Sequence, residues 1–208
     1  MWILVGLVLS YLIGAIPFAL LIARTQGVDI RAVGSGNVGA TNVYRSVGKS
    51  WGVLTFIADV LKGVFTAAAL PALLPEAGHV ANIGLLFGCA AVVGHNWPVY
   101  LRFAGGKGVA TSAGVLLGVA PGSMGIGVVA WLLILAISRY VSLASIGAAL
   151  VILATGWWLY GADNPTLVIV LTVMALVVVG RHHSNIRRLL AGTEHTYRKE
   201  VEAKEDPS

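Results

Sequence analysis

Along the chain, long apolar stretches alternate with short polar ones rich in glycine, and the stretches have membrane-spanning lengths. A helix that crosses the hydrocarbon core of a bilayer needs about 20 mostly apolar residues. The first stretch runs from Trp2 to about Ala23 and is interrupted only by Ser10, Tyr11, Gly14 and Pro17. The second, from about Trp51 to Leu74, carries Asp59 and Lys62; the third runs from about His79 to Trp97. Val109 to Leu135 is one longer run broken by Pro121, Gly122, Gly125 and Gly127. It reads as two short helices, at 108–119 and 122–138, with a tight turn at Ala120–Gly122. The sixth helix covers Leu143 to Tyr160 and the seventh Pro165 to Gly180. The pattern predicts an all-α integral membrane protein of seven transmembrane helices, organised as one domain over 1–208. Its polar segments are 24–50, 98–108 and 181–208, and the charged tail from His195 onward is expected to fray.

Composition agrees with a membrane class. Hydrophobic residues make up 57% of the chain and charged residues only 11%, against about a quarter in soluble domains. The formal net charge of +5 does not point to nucleic acid, because there is no Cys/His finger spacing and no long basic run. The single cysteine, Cys89, lies in an apolar run and allows neither an internal disulfide nor a cysteine metal site. The charges decide topology instead. Of the 14 basic residues, 13 fall on one side of a seven-span arrangement, in 24–50, 98–108, at Arg139 and from Arg181 onward. The remaining one, Lys62, lies inside a span, and the opposite turns carry Glu76 and Asp163. The basic side is therefore cytoplasmic, with the N-terminus outside and the C-terminus inside. Six spans would place basic loops on both sides.

Three polar clusters share that side. Residues 31–49 place Gly34, Gly36, Gly39 and Gly48 among Ser35, Asn37, Asn42 and Arg45. Small residues let backbone N–H groups approach an anion, Ser and Asn add donors, and Arg45 adds a two-pronged one. The Gly34-x-Gly36-x-x-Gly39 spacing matches a dinucleotide fingerprint only formally, because no strand precedes it. Residues 94–111 carry His95 and Asn96, then Gly105-Gly106-Lys107-Gly108 at the mouth of a helix. A lysine in a glycine collar at a helix N-terminus suits phosphate. It is not a Walker loop, since glycine and not Ser/Thr follows Lys107. Residues 181–197 carry His182, His183, Asn185, Arg187 and Arg188, a set that reads equally as a basic anchor to lipid headgroups. Asp59 and Lys62, three apart in one span, read as an interior ion pair or as the lining of a polar cavity.

These clusters resemble the bacterial acyl-phosphate:glycerol-3-phosphate acyltransferases, seven-span enzymes of the membrane. The likeness rests on three patterns in order. They are Gly34 to Asn42 continuing to Arg45 and Gly48; Gly94-His95-Asn96 with Pro98, Phe103 and Gly105 to Thr111; and His182 with Asn185-Ile186, Arg188-Leu189, Gly192 and Glu194. Arg187 falls outside the third pattern and reads as a surface or lipid contact. The resemblance covers essentially the whole chain. It implies transfer of a fatty acyl group from acyl phosphate to the 1-hydroxyl of sn-glycerol 3-phosphate, giving lysophosphatidic acid and phosphate. It also implies a bacterial plasma-membrane protein with its site toward the cytoplasm, no cofactor, no metal, no nucleic acid, and a monomer amid membrane lipid.

The residues expected to carry the reaction follow from its chemistry. An acyl phosphate is already activated, so no covalent enzyme intermediate is needed. The demands are alignment, deprotonation of the hydroxyl and stabilisation of an oxyanion. Arg45 and Lys107 are expected to hold phosphate, with Gly36, Gly105, Gly106 and Gly108 supplying close backbone. Ser35, Asn37 and Asn42 are expected to donate hydrogen bonds, and Asn185 and Arg188 to bind substrate. His95 or His182 is expected to be the base or to orient a phosphate, and the substrate's own phosphate is the remaining candidate to take the proton. The alternative from another class is a small transporter of a phosphorylated solute, which predicts polar groups reaching the outer face or an inverted repeat.

Overall fold

The computed structural model describes residues 1–74 and 77–197. Glu76, Arg198, Lys199, Lys204 and most of the charged tail lie outside the described residues. Among the described residues there are helices and turns and no strand. The chain divides into two compact units, Met1–Pro121 and Gly122–Ser208.

The first unit contains α1 (Trp2–Ala15), α2 (Phe18–Thr25), α3 (Ala40–Ser46), α4 (Lys49–Val64), α5 (Leu70–Leu73), α6 (Ile83–Asn96) and α7 (Val109–Val119). α1 and α2 form the first apolar stretch, broken at Ile16–Pro17 where proline lacks the N–H that a continuous helix needs. α4 runs through a wide π turn, Phe65–Ala69, into α5. Pro71 accounts for it: with no N–H of its own it cannot bond the Ala67 carbonyl four residues back. Gly84 of α6 packs its bare Cα against that same carbonyl oxygen. The third stretch begins at Ile83 and not near His79, because Ala77–His79 forms a short 3-10 turn and Asn82 turns left-handed before the helix.

Glycine sets how closely these helices approach. Gly14 and Gly94 each face backbone across the α1–α6 contact, against Ala91 and Tyr11 respectively. Gly63 and Gly114 do the same between α4 and α7, against Thr111 and Val60. Close backbone approach through small residues is how helices adhere in lipid, where apolar surface alone gives no preference for protein. Gly114→Ala would drive a methyl group into the Val60 carbonyl and is expected to lower the unfolding temperature in detergent. Gly125→Ala, where nothing lies within 4 Å, is expected to hold or raise it through better helix propensity. Equal effects would rule out backbone contact as the reason for the first glycine.

The second unit holds α8 (Pro121–Ser138, from Gly122 onward), α9 (Val141–Tyr160), α10 (Pro165–Arg181) and α11 (His183–Leu190). Asn164 caps α10 by accepting a hydrogen bond from the Leu167 N–H at 3.1 Å, with Pro165 at the first helical position. The Trp131 indole donates to Ser145 at 3.2 Å, and the Trp157 indole to Thr172 at 3.2 Å, so each buries its polar edge against a neighbouring helix. Gly127 and Gly156 receive the side chains of Ile152 and Leu171.

Among the described residues, five helical stretches are long and apolar enough to cross a membrane: Trp2–Thr25, Lys49–Leu73, Ile83–Leu101, Pro121–Ser138 and Val141–Tyr160. The pair Pro165–Arg181 and His183–Leu190, bent by 56°, makes a sixth. The break expected near Pro121 is present, since α7 ends at Val119 and α8 starts at Pro121. α7 itself has 11 residues, roughly 16 Å at 1.5 Å per residue and about half the hydrocarbon thickness. Large apolar side chains are turned outward on these helices, among them Leu61, Ile137 and Trp158, as lipid contact requires.

Candidate functional site

The site in the first unit begins with a loop held rigid from within. Ala19, Leu20 and Ala23 of α2 pack with Ile30, Val38 and Val43, so the chain from 26 to 39 lies on an apolar base. Asn42, 2% exposed, then organises the loop through its amide. Its Nδ2 donates to the carbonyls of Ile30, Val33 and Asn37 at 3.0 to 3.1 Å, while its Oδ1 accepts from the Ser35 N–H at 3.1 Å and the Ser46 hydroxyl at 3.3 Å. Gly34 and Gly36 adopt left-handed φ of 58° and 67°, which glycine tolerates and other residues resist. Ser35 and Gly36 are left exposed at the rim, Asn37 is half-buried beside them, and Arg45 projects from α3 one turn beyond Asn42. Asn42, expected to bind substrate, is thus committed to shaping the loop that presents Ser35 and Asn37. Arg31 is engaged by exposed Asp29 through two side-chain bonds of 2.9 and 2.6 Å, and those bonds hold the Asp29 carboxyl well below its usual range.

The second cluster closes against this loop. A Cβ on Gly106 would stand 2.9 Å from the Val38 carbonyl oxygen and would overlap the His95 Nε2. Gly105 is equally confined, by the His95 carbonyl and Pro98. The Gly106 N–H donates to the His95 carbonyl at 3.2 Å. The collar needs glycine because an imidazole and two backbone strands occupy the space a side chain would take. Gly108 (φ 77°) caps α7, leaving Lys107 half-buried at the helix's positive end. Asn96 is fully buried against Gly108, and neither its amide oxygen nor its nitrogen has a hydrogen-bond partner among the described residues.

Behind the collar lies a charged cluster buried in the membrane-spanning part. Lys62 and Asp59, each 3% exposed, pair at 2.7 Å. The Lys62 Nζ also donates to the Ile16 carbonyl at 3.1 Å and stands 3.0 Å from the His95 Nδ1. Pro17 leaves Ile16 at a helix break, so its carbonyl is available for that bond. A single cleft is lined by Ile16, Phe18, Asp59, His95, Gly105 and Gly106. Periodicity alone placed Asp59 and Lys62 on one helix face; only the fold sets that face against His95, 33 residues further along the chain.

In the second unit His182 is buried, and its Nδ1 stands 2.7 Å from the Val178 carbonyl oxygen. A carbonyl can only accept, so Nδ1 carries the proton and Nε2 is the basic nitrogen of the neutral ring. Asn185 and Arg188 both reach Glu194. Its carboxylate accepts from the Asn185 amide at 2.7 Å, the Ser142 hydroxyl at 2.8 Å and the Arg188 Nε at 2.7 Å. Asn185 and Arg188, expected to bind substrate, thereby clasp the end of α11 to the start of α9. Ser142, which no sequence pattern marked, completes the clasp. Burial pushes the Glu194 carboxyl up, but the three hydrogen bonds outweigh it and hold it below its usual value. Its contribution to stability is therefore full above the ordinary carboxylate range and is lost as pH falls through the lowered value. The unfolding temperature is expected to fall between neutrality and about pH 3, and to fall less in Glu194→Gln. An identical pH dependence in both proteins would assign the acid sensitivity to other carboxylates. Among the described residues, no three His, Cys, Asp or Glu side chains gather as metal ligands.

Helices long and apolar enough to span a bilayer, with a glycine-and-lysine collar beside a buried Asp–Lys–His cluster, define an integral membrane protein. The sequence model described as "Glycerol-3-phosphate acyltransferase" matches residues 4–192, and the chain belongs to that family. A glycerol-3-phosphate acyltransferase of Trichlorobacter lovleyi is 44% identical over 91% of this chain and 94% of its own length. One from Aquifex aeolicus is 43% identical over 91% and 96%. Among solved structures, the glycerol 3-phosphate form of PlsY (YgiH), an integral membrane glycerol 3-phosphate acyltransferase, superposes with a TM-score of 0.83 at 40% identity, covering 93% of this chain and 94% of that one. The lysophosphatidic acid form of the same protein gives 0.81 at 39% identity.

Proposed function

We propose that this chain transfers a fatty acyl group from acyl phosphate to the 1-hydroxyl of sn-glycerol 3-phosphate, releasing lysophosphatidic acid and phosphate on the cytoplasmic side of the membrane. The observation that carries this reading is the collar at Gly105–Gly108. It combines a helix N-terminus, a lysine and bare backbone against a buried polar cluster, as a phosphorylated substrate requires. The glycerol hydroxyl oxygen bonds to the acyl carbon, the carbon–oxygen bond to phosphate breaks with its electron pair leaving on phosphate, and the hydroxyl proton is carried away.

Lys107 and Arg45 hold the phosphates and reduce the repulsion between two anionic substrates. Ser35 and Asn37, presented by the loop that Asn42 organises, donate hydrogen bonds to phosphate or to the developing oxyanion. His182 is the protein group assigned to accept the proton, the other acceptor being substrate phosphate. The chain is a monomer of seven spans, α7 being the short fourth. The N-terminus lies outside, and the segments 24–50, 98–108 and the chain beyond 181 lie in the cytoplasm. The distribution of lysine and arginine supports that orientation.

Purified protein mixed with acyl phosphate and glycerol 3-phosphate is expected to form lysophosphatidic acid and free phosphate in equal amounts. Absence of turnover, with uptake of a phosphorylated solute into proteoliposomes lacking any acyl donor, would favour transport instead. Single cysteines placed beside Asn37 or Gly106 are expected to resist impermeant reagents applied outside intact cells. Ready labelling there would overturn the orientation.

A further inference from the structure

The Asp59–Lys62–His95 cluster decides which nitrogen of His95 faces the cleft. An ammonium has three N–H donors and no acceptor. The Lys62 Nζ donates to the Ile16 carbonyl at 3.1 Å, stands 3.0 Å from the His95 Nδ1 and forms an ion pair with Asp59 Oδ1 at 2.7 Å. The Phe18 ring, 5.6 Å from Nζ to its centroid, covers a remaining side with its negative face. The competing arrangement is a histidine–carboxylate dyad, in which His95 Nδ1–H donates to Asp59. That separation is 3.5 Å, beyond the 2.7–3.2 Å of an N–H···O bond. Asp59 is thus the counter-charge of Lys62 and not its hydrogen-bond acceptor, and His95 Nδ1, at hydrogen-bond distance from an ammonium that can only donate, is the acceptor of a lysine proton. A neutral imidazole that accepts at one nitrogen carries its hydrogen on the other. A second proton on Nδ1 would point at the ammonium, a clash of like charges in a buried place.

We infer that His95 is a neutral hydrogen-bond donor, its Nε2–H turned by the Asp59–Lys62 pair toward Gly106 at the cleft wall, and that it grips an anionic oxygen of the substrates instead of removing the hydroxyl proton. The placement of Nε2 supports this. It occupies the space a Gly106 side chain would fill, and His95, Gly105 and Gly106 line the same cleft as Asp59. Lys62 and Asp59 are positioning residues: they act on substrate through the ring. His95 and His182 thus present opposite faces, a donor Nε2 in the first and a basic Nε2 in the second. The role for His95 rests on the acyl-transfer reading above; the tautomer does not.

The test has two arms that fail separately. Imidazole nitrogens are observed by NMR in the full chain labelled with 15N-histidine, and the His95 signals are assigned as those missing from His95→Gln or His95→Ala protein. Hydrogen on Nε2 and none on Nδ1 is expected. Hydrogen on Nδ1 overturns the inference whatever the enzyme does. In the second arm, glutamine at 95 places an amide N–H near the position of Nε2 but cannot take up a proton. Losing an oxyanion donor costs on the order of 100-fold or more in kcat. His95→Ala is therefore expected to lose at least about that factor, and His95→Gln to recover to within about 10-fold of the parent. A folded His95→Gln protein as inactive as His95→Ala would make His95 a proton acceptor and sink the donor role. If the parent itself fails to turn over acyl phosphate, the acyl-transfer reading falls and the NMR arm alone stands.

Discussion

Lys107→Ala is expected to leave the protein folded in membranes and to lower kcat/KM for acyl transfer by about 100-fold or more. The side chain sits at the positive end of α7, where Gly108 caps the helix and Gly105 and Gly106 bring backbone close. Removing it leaves the helix N-terminus in place but takes away the point charge proposed to meet a phosphate and offset its repulsion from a second one. Because Lys107 is only half-buried, the fold loses little. Lys107→Arg keeps the charge but brings a planar fork into a narrow collar, so partial activity with weakened substrate affinity is expected. The measurement is initial rate against glycerol 3-phosphate concentration, with the unfolding temperature as control. Near-parental affinity and turnover in Lys107→Ala would defeat the phosphate-cradle assignment.

The other large effect concerns stability. Asp59→Leu alone leaves the Lys62 ammonium buried without its counter-charge and is expected to cost about 3–5 kcal/mol. Adding Lys62→Met removes the stranded charge, and replacement of a buried ion pair by apolar residues of similar volume is often neutral or better. The double variant is therefore expected to regain most of the unfolding temperature. It is not expected to regain activity, because the His95 ring has lost the lysine proton that selects its tautomer and holds its orientation. A double variant that is both stable and fully active would reduce Asp59 and Lys62 to packing.

The two histidines tie these expectations together. His95 and His182 occupy different environments: one accepts from an ammonium and the other donates to the Val178 carbonyl. Sequence reasoning treats them as interchangeable candidates for the base, because the composition of a cluster carries no information on which ring nitrogen bears hydrogen. That property is set by the partner at hydrogen-bond distance, and each partner lies on backbone or on a helix that only folding brings near.

What the sequence determines by itself is the helical membrane class, the break near Pro121 and the three polar clusters, because these depend on hydrophobic length and on where proline, glycine and the polar residues fall. Tertiary structure decides what the polar residues touch. Asn42 turns inward to build its loop, Asn185 and Arg188 are spent on Glu194 with an unmarked Ser142, and α7 proves to be 11 residues long. Asp59 and Lys62, legible as a pair at helical spacing, meet His95 only because the α1–α2 break and α6 converge on the same face of α4. Periodicity along one chain reports which residues share a face; it does not report which face of another helix, many residues away, will be packed against it.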